Sequence, residues 1–179
     1  MTFEPDEKSV QSSDGSLATS GRILSDIKGD CFSLAFVGDV RLVWCVTLEK
    51  YCESIFDQRS IKSFYVDVSP ADNLDSTTLG VLAKLALLCK KKLNFPAELY
   101  FDNPDIERLV VSMGFKTVFT FVDKADRIDL DYRSMHSLGG SDWSEDEIRR
   151  SVLAAHQTLA GLSEENNQKF KALIESLDQ

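Results

Sequence analysis

Histidine is nearly missing from this sequence: His136 and His156 are the only two in 179 residues. Neither lies near the four cysteines, Cys31, Cys45, Cys52 and Cys89, and no two cysteines form a CxxC pair. That argues against a zinc site or a disulfide framework and predicts reduced, mostly buried thiols. Positive charge is also short. Twenty Lys and Arg face twenty-nine Asp and Glu, a formal net charge of −9, which repels a phosphate backbone and an anionic bilayer alike. Neither nucleic acid nor a membrane is an expected partner. No apolar run approaches the roughly 18 residues that a membrane-spanning helix needs. Residues 1–20 lack the basic-then-apolar order of a signal peptide, and a cytoplasmic protein is expected. Walker-loop, GxGxxG, GxSxG and HExxH motifs are lacking too. Nothing therefore points to a cofactor or a resident metal.

What remains is an ordinary globular mixture, 43% hydrophobic and 27% charged, able to bury one core with appendages. Residues 1–20 carry Glu4, Asp6, Glu7 and Asp14 against Lys8, with several serines. Such a segment buries too little to offset its ordering entropy and is expected to be a flexible acidic tail. Arg22–Lys28 alternates as a strand, Gly29-Asp30 reads as a turn, and Phe32–Val37 is a second apolar run, together an antiparallel hairpin. From Cys45 the period becomes helical, with Leu48, Tyr51, Cys52, Ile55 and Phe56 on one face. Ser63–Val68 is the clearest strand, ended by Ser69-Pro70. A second helix is predicted from Ser76 to Lys92, and a strand over Ala97–Phe101. Asn103-Pro104-Asp105 starts a third helix that Gly114 ends, and Lys116–Val122 is a last strand.

The order β-β-α-β-α-β-α-β predicts an α/β domain over 21–123 whose mostly parallel sheet is covered by helices, the opening hairpin being antiparallel. Lys124–Ser141 is charged and ends in Gly139-Gly140, so 124–143 is expected to be a linker or extended loop. Ser144 with Glu147 makes a capping box for a helix lined by Ile148, Val152, Leu153, His156 and Leu159. After Gly161, Ser163 begins another helix with Phe170, Leu173, Ile174 and Leu177 apolar. These two helices, the extension 144–179, cannot be stable alone and should pack on the core, on each other or on a partner.

Chemistry is sparse. His136 falls in the linker and His156 on an apolar-leaning helix face, positions suited to a solvated or core-satisfied histidine. Asp67, between Val66 and Val68, reads as an outward strand residue. Lys90-Lys91-Lys92 complements the dipole at a helix end. The informative stretch runs from Val66 to Gly80, where a buried strand passes through a polar turn into a helix opening Asp75-Ser76-Thr77-Thr78. Taken alone, it is a helix start in which Asp75 or Ser76 caps the orphan backbone donors.

That stretch, with Leu79-Gly80-Val81-Leu82 behind it, resembles the phosphoacceptor segment of STAS domains, the fold of bacterial anti-sigma-factor antagonists. Asn103-Pro104-Asp105 and Val111-Ser112-Met113-Gly114-Phe115 followed by Val118-Phe119 match as well. The resemblance covers residues 21 to about 123; the helical extension resembles that of longer antagonists tied to response-regulator phosphatases. Many members carry glycine where this chain has Thr78, while Gly80 is present. The resemblance implies no enzyme but a phosphorylation-switched binding module that regulates transcription. Its unphosphorylated form would bind an anti-sigma factor or switch kinase of ATPase fold, releasing a sigma factor. Phosphorylation at Ser76, with Thr77 and Thr78 as neighbouring alternatives, would end binding, and a PP2C-like serine phosphatase, such as a response regulator of that kind, would restore it. The partner-binding residues it implies are Asp72, Asn73, Asp75, Ser76, Thr77 and Leu79, with Leu79 an exposed apolar contact. Two rival readings stand beside it. One is a STAS-type scaffold binding a nucleotide or lipid-like ligand at the strand ends. The other is a hydrolase with Ser76 as nucleophile, for which no histidine lies in the core domain.

Overall fold

A computed structural model describes residues 21–179 apart from Arg59 and Ser141; the acidic tail expected over 1–20 lies outside the described residues. Strands β1 (Arg22–Lys28) and β2 (Cys31–Val40) form the expected antiparallel hairpin, Lys28 facing Cys31. The two-residue turn works because Gly29 takes φ 63°, open to glycine without a Cβ penalty. Helix α1 (Cys45–Gln58) leads to β3 (Ser63–Asp67), which lies parallel to β2. Next come β4 (Ala71–Leu74), α2 (Ser76–Leu93), β5 (Ala97–Tyr100), α3 (Pro104–Ser112) and β6 (Phe119–Phe121). The last strand is shorter than expected because Phe115–Thr117 winds as a 3-10 turn. The sheet order is β6-β5-β3-β2-β1-β7, the last being the two-residue strand His136–Ser137, with β4 also on β2. The architecture is the mixed α/β sheet that the element order implied.

Alternation along the strands divides the core. Phe32, Leu34, Phe36, Phe64 and Val66 point to the helical face, where Leu82, Ala86 and Cys89 of α2 and Leu48 and Cys52 of α1 complete the main cluster. Ala35, Tyr65 and Tyr100 point the other way and are also buried. Their cover is the stretch expected to be a linker. Leu130 and Met135 pack on this second face, the Tyr132 hydroxyl donates to Asp67 Oδ2 at 2.6 Å, and the Ile128 N–H donates to Tyr65 Oη at 3.3 Å. His136–Ser137 then pairs with β1 as β7. Residues 124–138 are thus a strap across the sheet rather than a spacer, because the sheet's second face is too apolar to be left wet. Asp67, read as outward-facing, is 2% exposed and bonded as well to the N–H and hydroxyl of Ser69, at 2.8 and 2.7 Å.

The cysteines are free thiols, three of them buried. Burial pushes Cys89 to about 11 and Cys52 well above the ordinary thiol range. Cys45 rises to about 12 through burial, with the Asp75 and Glu49 carboxylates adding to it. Since the thiolate is the reactive form, native protein at pH 8 should take up iodoacetamide at half-buried Cys31 first. Peptide mass spectrometry checks this; equal labelling of Cys45, Cys52 or Cys89 would contradict the packing described.

Candidate functional site

The site is assembled where the ends of β2, β4 and α2 meet. After β3, the Asp67 carboxylate organises the turn through Ser69, and Gly38 N–H donates to the Pro70 carbonyl at 2.9 Å. This returns the chain onto β2, so Ala71–Leu74, expected to be a polar turn, forms a short parallel strand against Gly38–Val40. Its middle residues, Asp72 and Asn73, are exposed, and Asn73 Nδ2 donates to Asp39 Oδ1 at 3.3 Å. Arg41 also binds Asp39, with Nη2 at 2.6 Å from Oδ2, and holds that carboxyl below its ordinary range.

Of the two candidate caps, Asp75 is the one used: its Oδ1 accepts the Thr78 N–H at 2.7 Å. Ser76 is then the first helical residue, half-buried, with its hydroxyl available for other work. The neighbouring hydroxyls are not. Thr77 is 6% and Thr78 1% exposed, and Thr78 Oγ1 reaches the Val40 carbonyl at 3.4 Å. Leu79, expected as an exposed contact, is 1% exposed and belongs to the main core, since the flank of α2 beside Ser76 packs into that cluster. Among the described residues, the large apolar group exposed at this end is Val43, 68% exposed. It stands on the turn between Val40, paired with Leu74, and Cys45, whose thiol lies beside Thr78. Nothing in the local sequence marked Val43; its exposure follows from the 3-10 turn at Leu42–Trp44.

Helices α4 (Glu145–Ala160) and α5 (Glu164–Leu177) fold back onto this site. Ser76 Oγ lies 2.9 Å from His156 Nε2, and His156 Nδ1 lies 2.8 Å from the Val152 carbonyl. A carbonyl only accepts, so Nδ1 carries a proton, and in the tautomer protonated there alone Nε2 accepts from the Ser76 hydroxyl. His156 is 2% exposed, and the Phe170 ring packs edge-on against it at 5.2 Å. Sequence reading placed His156 on an apolar face and saw no histidine for Ser76; the extension supplies one from 80 positions away. Four residues along α2, Gly80 faces Ala155 so closely that a Cβ on Gly80 would sit 2.4 Å from the Ala155 carbonyl oxygen.

Polar ties finish the docking. Buried Glu49 accepts from Ser151 Oγ at 3.1 Å and from Lys84 Nζ at 3.2 Å, joining α1, α4 and α2. Asn166 Nδ2 donates to the carbonyls of Met113 and Leu159. A cleft of about 330 Å³ beside these ties is lined by Arg150 and by Glu49, Lys50, Lys84 and Glu147, the last four paired as Lys50 with Glu147 and Lys84 with Glu49. Among the described residues no group of three or more His, Cys, Asp or Glu could hold a metal ion, and no helix is long and apolar enough to cross a membrane.

The α4 capping box has a pH signature. Lys50 Nζ, then the backbone N–H and hydroxyl of Ser144, hold the Glu147 carboxyl at about 2, down from 4.5. A carboxyl lowered by folding stabilises the folded form above its unfolded value and loses that contribution as pH falls through its folded value. Docking of the α4 start should therefore weaken as pH drops from about 4.5 towards 2. The Trp143 indole reports it, since Lys50 Nζ sits 3.9 Å from its ring centroid and its Nε1 donates to Thr47 Oγ1 at 2.8 Å. In a Trp44→Phe background the fluorescence transition should be flattened by Glu147→Gln; identical titrations would remove Glu147 as the cause.

No known family model matches the sequence, and no curated protein resembles it significantly. By shape, the chain is similar to the crystal structure of an anti-sigma factor antagonist from Mycobacterium paratuberculosis. The match has a TM-score of 0.51 at 19% identity and covers 60% of this chain and 89% of that one. At that identity the likeness is one of fold, and the fold is the STAS fold that the Val66–Gly80 stretch resembled.

Proposed function

We propose that the protein is a phosphorylation-switched antagonist of an anti-sigma factor. Unphosphorylated, it binds an anti-sigma factor or switch kinase of ATPase fold and so releases a sigma factor. Phosphate on Ser76 ends the interaction, and a PP2C-like serine phosphatase reverses it. The observation that carries this reading is the position of Ser76: first residue of α2 in a fold shared with an anti-sigma factor antagonist, more open than Thr77 and Thr78. The docking surface combines Asp72 and Asn73 with the start of α2, and Val43 takes the apolar role once expected of Leu79. A pulldown from native lysate with wild-type, Ser76→Ala and Ser76→Asp baits tests it. Wild type and Ser76→Ala should retain an ATPase-fold regulator that Ser76→Asp loses; three identical catches would sink the switch and bring forward the small-ligand scaffold.

The Ser76–His156 pair favours one other reading, a serine hydrolase, because 2.9 Å is the spacing of a nucleophile and its base. Against it, His156 is oriented by a backbone carbonyl instead of a carboxylate and is roofed by Phe170. A fluorophosphonate probe that labelled Ser76 would support the hydrolase over the switch.

A further inference from the structure

We infer that the α4–α5 hairpin is a displaceable cover seated on the switch surface, and that kinase and partner reach Ser76 only after it swings away. The contacts run along one stripe of α2. Ser76 meets His156, Gly80 meets Ala155, and Lys84 meets Ser151 through their shared partner Glu49. As the α2 residue number rises, the α4 number falls, so α4 lies antiparallel along the face that a partner helix would use. The close approach is possible because position 80 has no side chain. Any docking partner that needs Ser76 and this stripe competes with α4 for the same space.

The cover is lightly held. Of the hairpin's apolar side chains, only Ala155, Leu159 and Phe170 are buried in the main core among the described residues. Leu173 is 40% exposed, while Ile148, Val152 and Leu153, the face expected to be buried, are only partly covered. Ala160, Leu162 and Ile174 pack on that core only partly buried, and the other attachments are polar: Ser76–His156, Ser151–Glu49, Lys50–Glu147 and the Asn166 amide. When the hairpin leaves, water can satisfy each of these groups. A unit with few buried apolar groups opens at a lower free energy than the core it rests on. The domain beneath keeps its own sheet, strap and α1–α3, none of which is threaded through the hairpin.

The test uses the full chain and needs no partner. A thiol reagent is applied to Ser76→Cys, with exposed Ser112→Cys as reference, and each site is read by peptide mass spectrometry. The covered site should label at least about tenfold more slowly than the reference, in keeping with reaction through local opening. Adding Gly80→Ala drives a methyl group into Ala155 while improving the helix propensity of α2, and should raise labelling at position 76 by about tenfold or more. Phe170→Ala, which loosens the cover from α5, should act in the same direction. Labelling of Ser76→Cys as fast as the reference overturns the cover, as does a rise matched by Cys45, Cys52 and Cys89, which marks general unfolding. The claim that the cover limits access rests on the proposed function and has its own arm. A Gly80→Ala bait should retain more of the ATPase-fold regulator than wild type. Equal retention from an opened hairpin overturns that claim yet leaves the switch standing. Loss of the switch in the pulldown, in turn, leaves the labelling result intact.

Discussion

Phe32→Ala should destabilise the protein by about 4 kcal/mol, within the ~3–5 kcal/mol range for removing a buried phenyl ring. Phe32 is 0% exposed and sits at the centre of an aromatic cluster. Its ring stacks on Phe64 at 5.2 Å and meets Phe56 at 5.9 Å and Tyr51 at 6.1 Å. The cavity would lie between β2, β3 and α1, where two of the walls are strands held in register by the sheet and cannot close in. Against a domain stability of roughly 5–15 kcal/mol, the loss is a large share. The comparison is Phe101→Ala at the sheet margin, where the ring touches Phe121 at 5.0 Å but both are only partly buried; about 1–2 kcal/mol is expected there. Urea denaturation followed by far-UV circular dichroism gives both numbers. A Phe32 loss no larger than that of Phe101 would mean the helical face of the sheet is not the main core.

Phe32, Leu34 and Phe36 were readable as core because alternation is written within a few residues, and the same holds for helix starts. Ser144 and Glu147 make both bonds of the capping box, Asn103 caps α3 ahead of Pro104, and Gly29-Asp30 turns the hairpin. Local chemistry fixes such features, so local sequence reports them. Where a feature depends on a distant partner, the local reading fails. Ala71–Leu74 has two exposed polar residues in four and becomes a strand only because β2 runs past β3 to offer a second edge. Residues 124–138 look like a charged linker because only Leu130, Met135 and Leu138 are buried, and the apolar surface they cover belongs to other strands.

The site shows the same division. Ser76 at the start of α2 was legible from Asp75-Ser76-Thr77-Thr78, which left Asp75 and Ser76 both open as the cap that the structure gives to Asp75. The burial of Leu79 was not, because Leu79 flanks Ser76 on the same side of α2 and only the fold decides which flank enters the core. His156 was hidden more thoroughly. Its helix buries Ser151, Ala155, His156 and Leu159, three of the four small or polar, while the larger Ile148 and Val152 on the same side of the helix are only partly covered. Close helix packing favours small side chains at the crossing, and apolar periodicity cannot see a contact made by Gly80 and Ala155.

Ser76→Asp should weaken binding to the ATPase-fold partner by about thirty to several thousand fold, from a penalty of ~2–5 kcal/mol for a charge left unpaired in an interface. Phosphoserine adds roughly −1.5 to −2 charges, and the carboxylates of Asp72 and Asp75 lie in the same short segment. The fold itself should tolerate the change, because the N-terminus of α2 favours negative charge by ~0.3–1 kcal/mol. In the parent chain, however, a charge at Ser76 has two opposed consequences. It puts a larger, charged group in the close contact between Ser76 and buried His156, whose desolvation favours opening of the cover, and it charges the surface that opening exposes. Calorimetric titration of the partner against Ser76→Asp should therefore be run twice, with and without Gly80→Ala. With the hairpin displaced in both members of the pair, the difference reports the interface alone and should be the larger of the two. A loss that vanishes once Gly80→Ala is present would mean that the charge holds the cover closed and leaves the interface untouched, which would overturn both consequences and remove Ser76 from the docking surface.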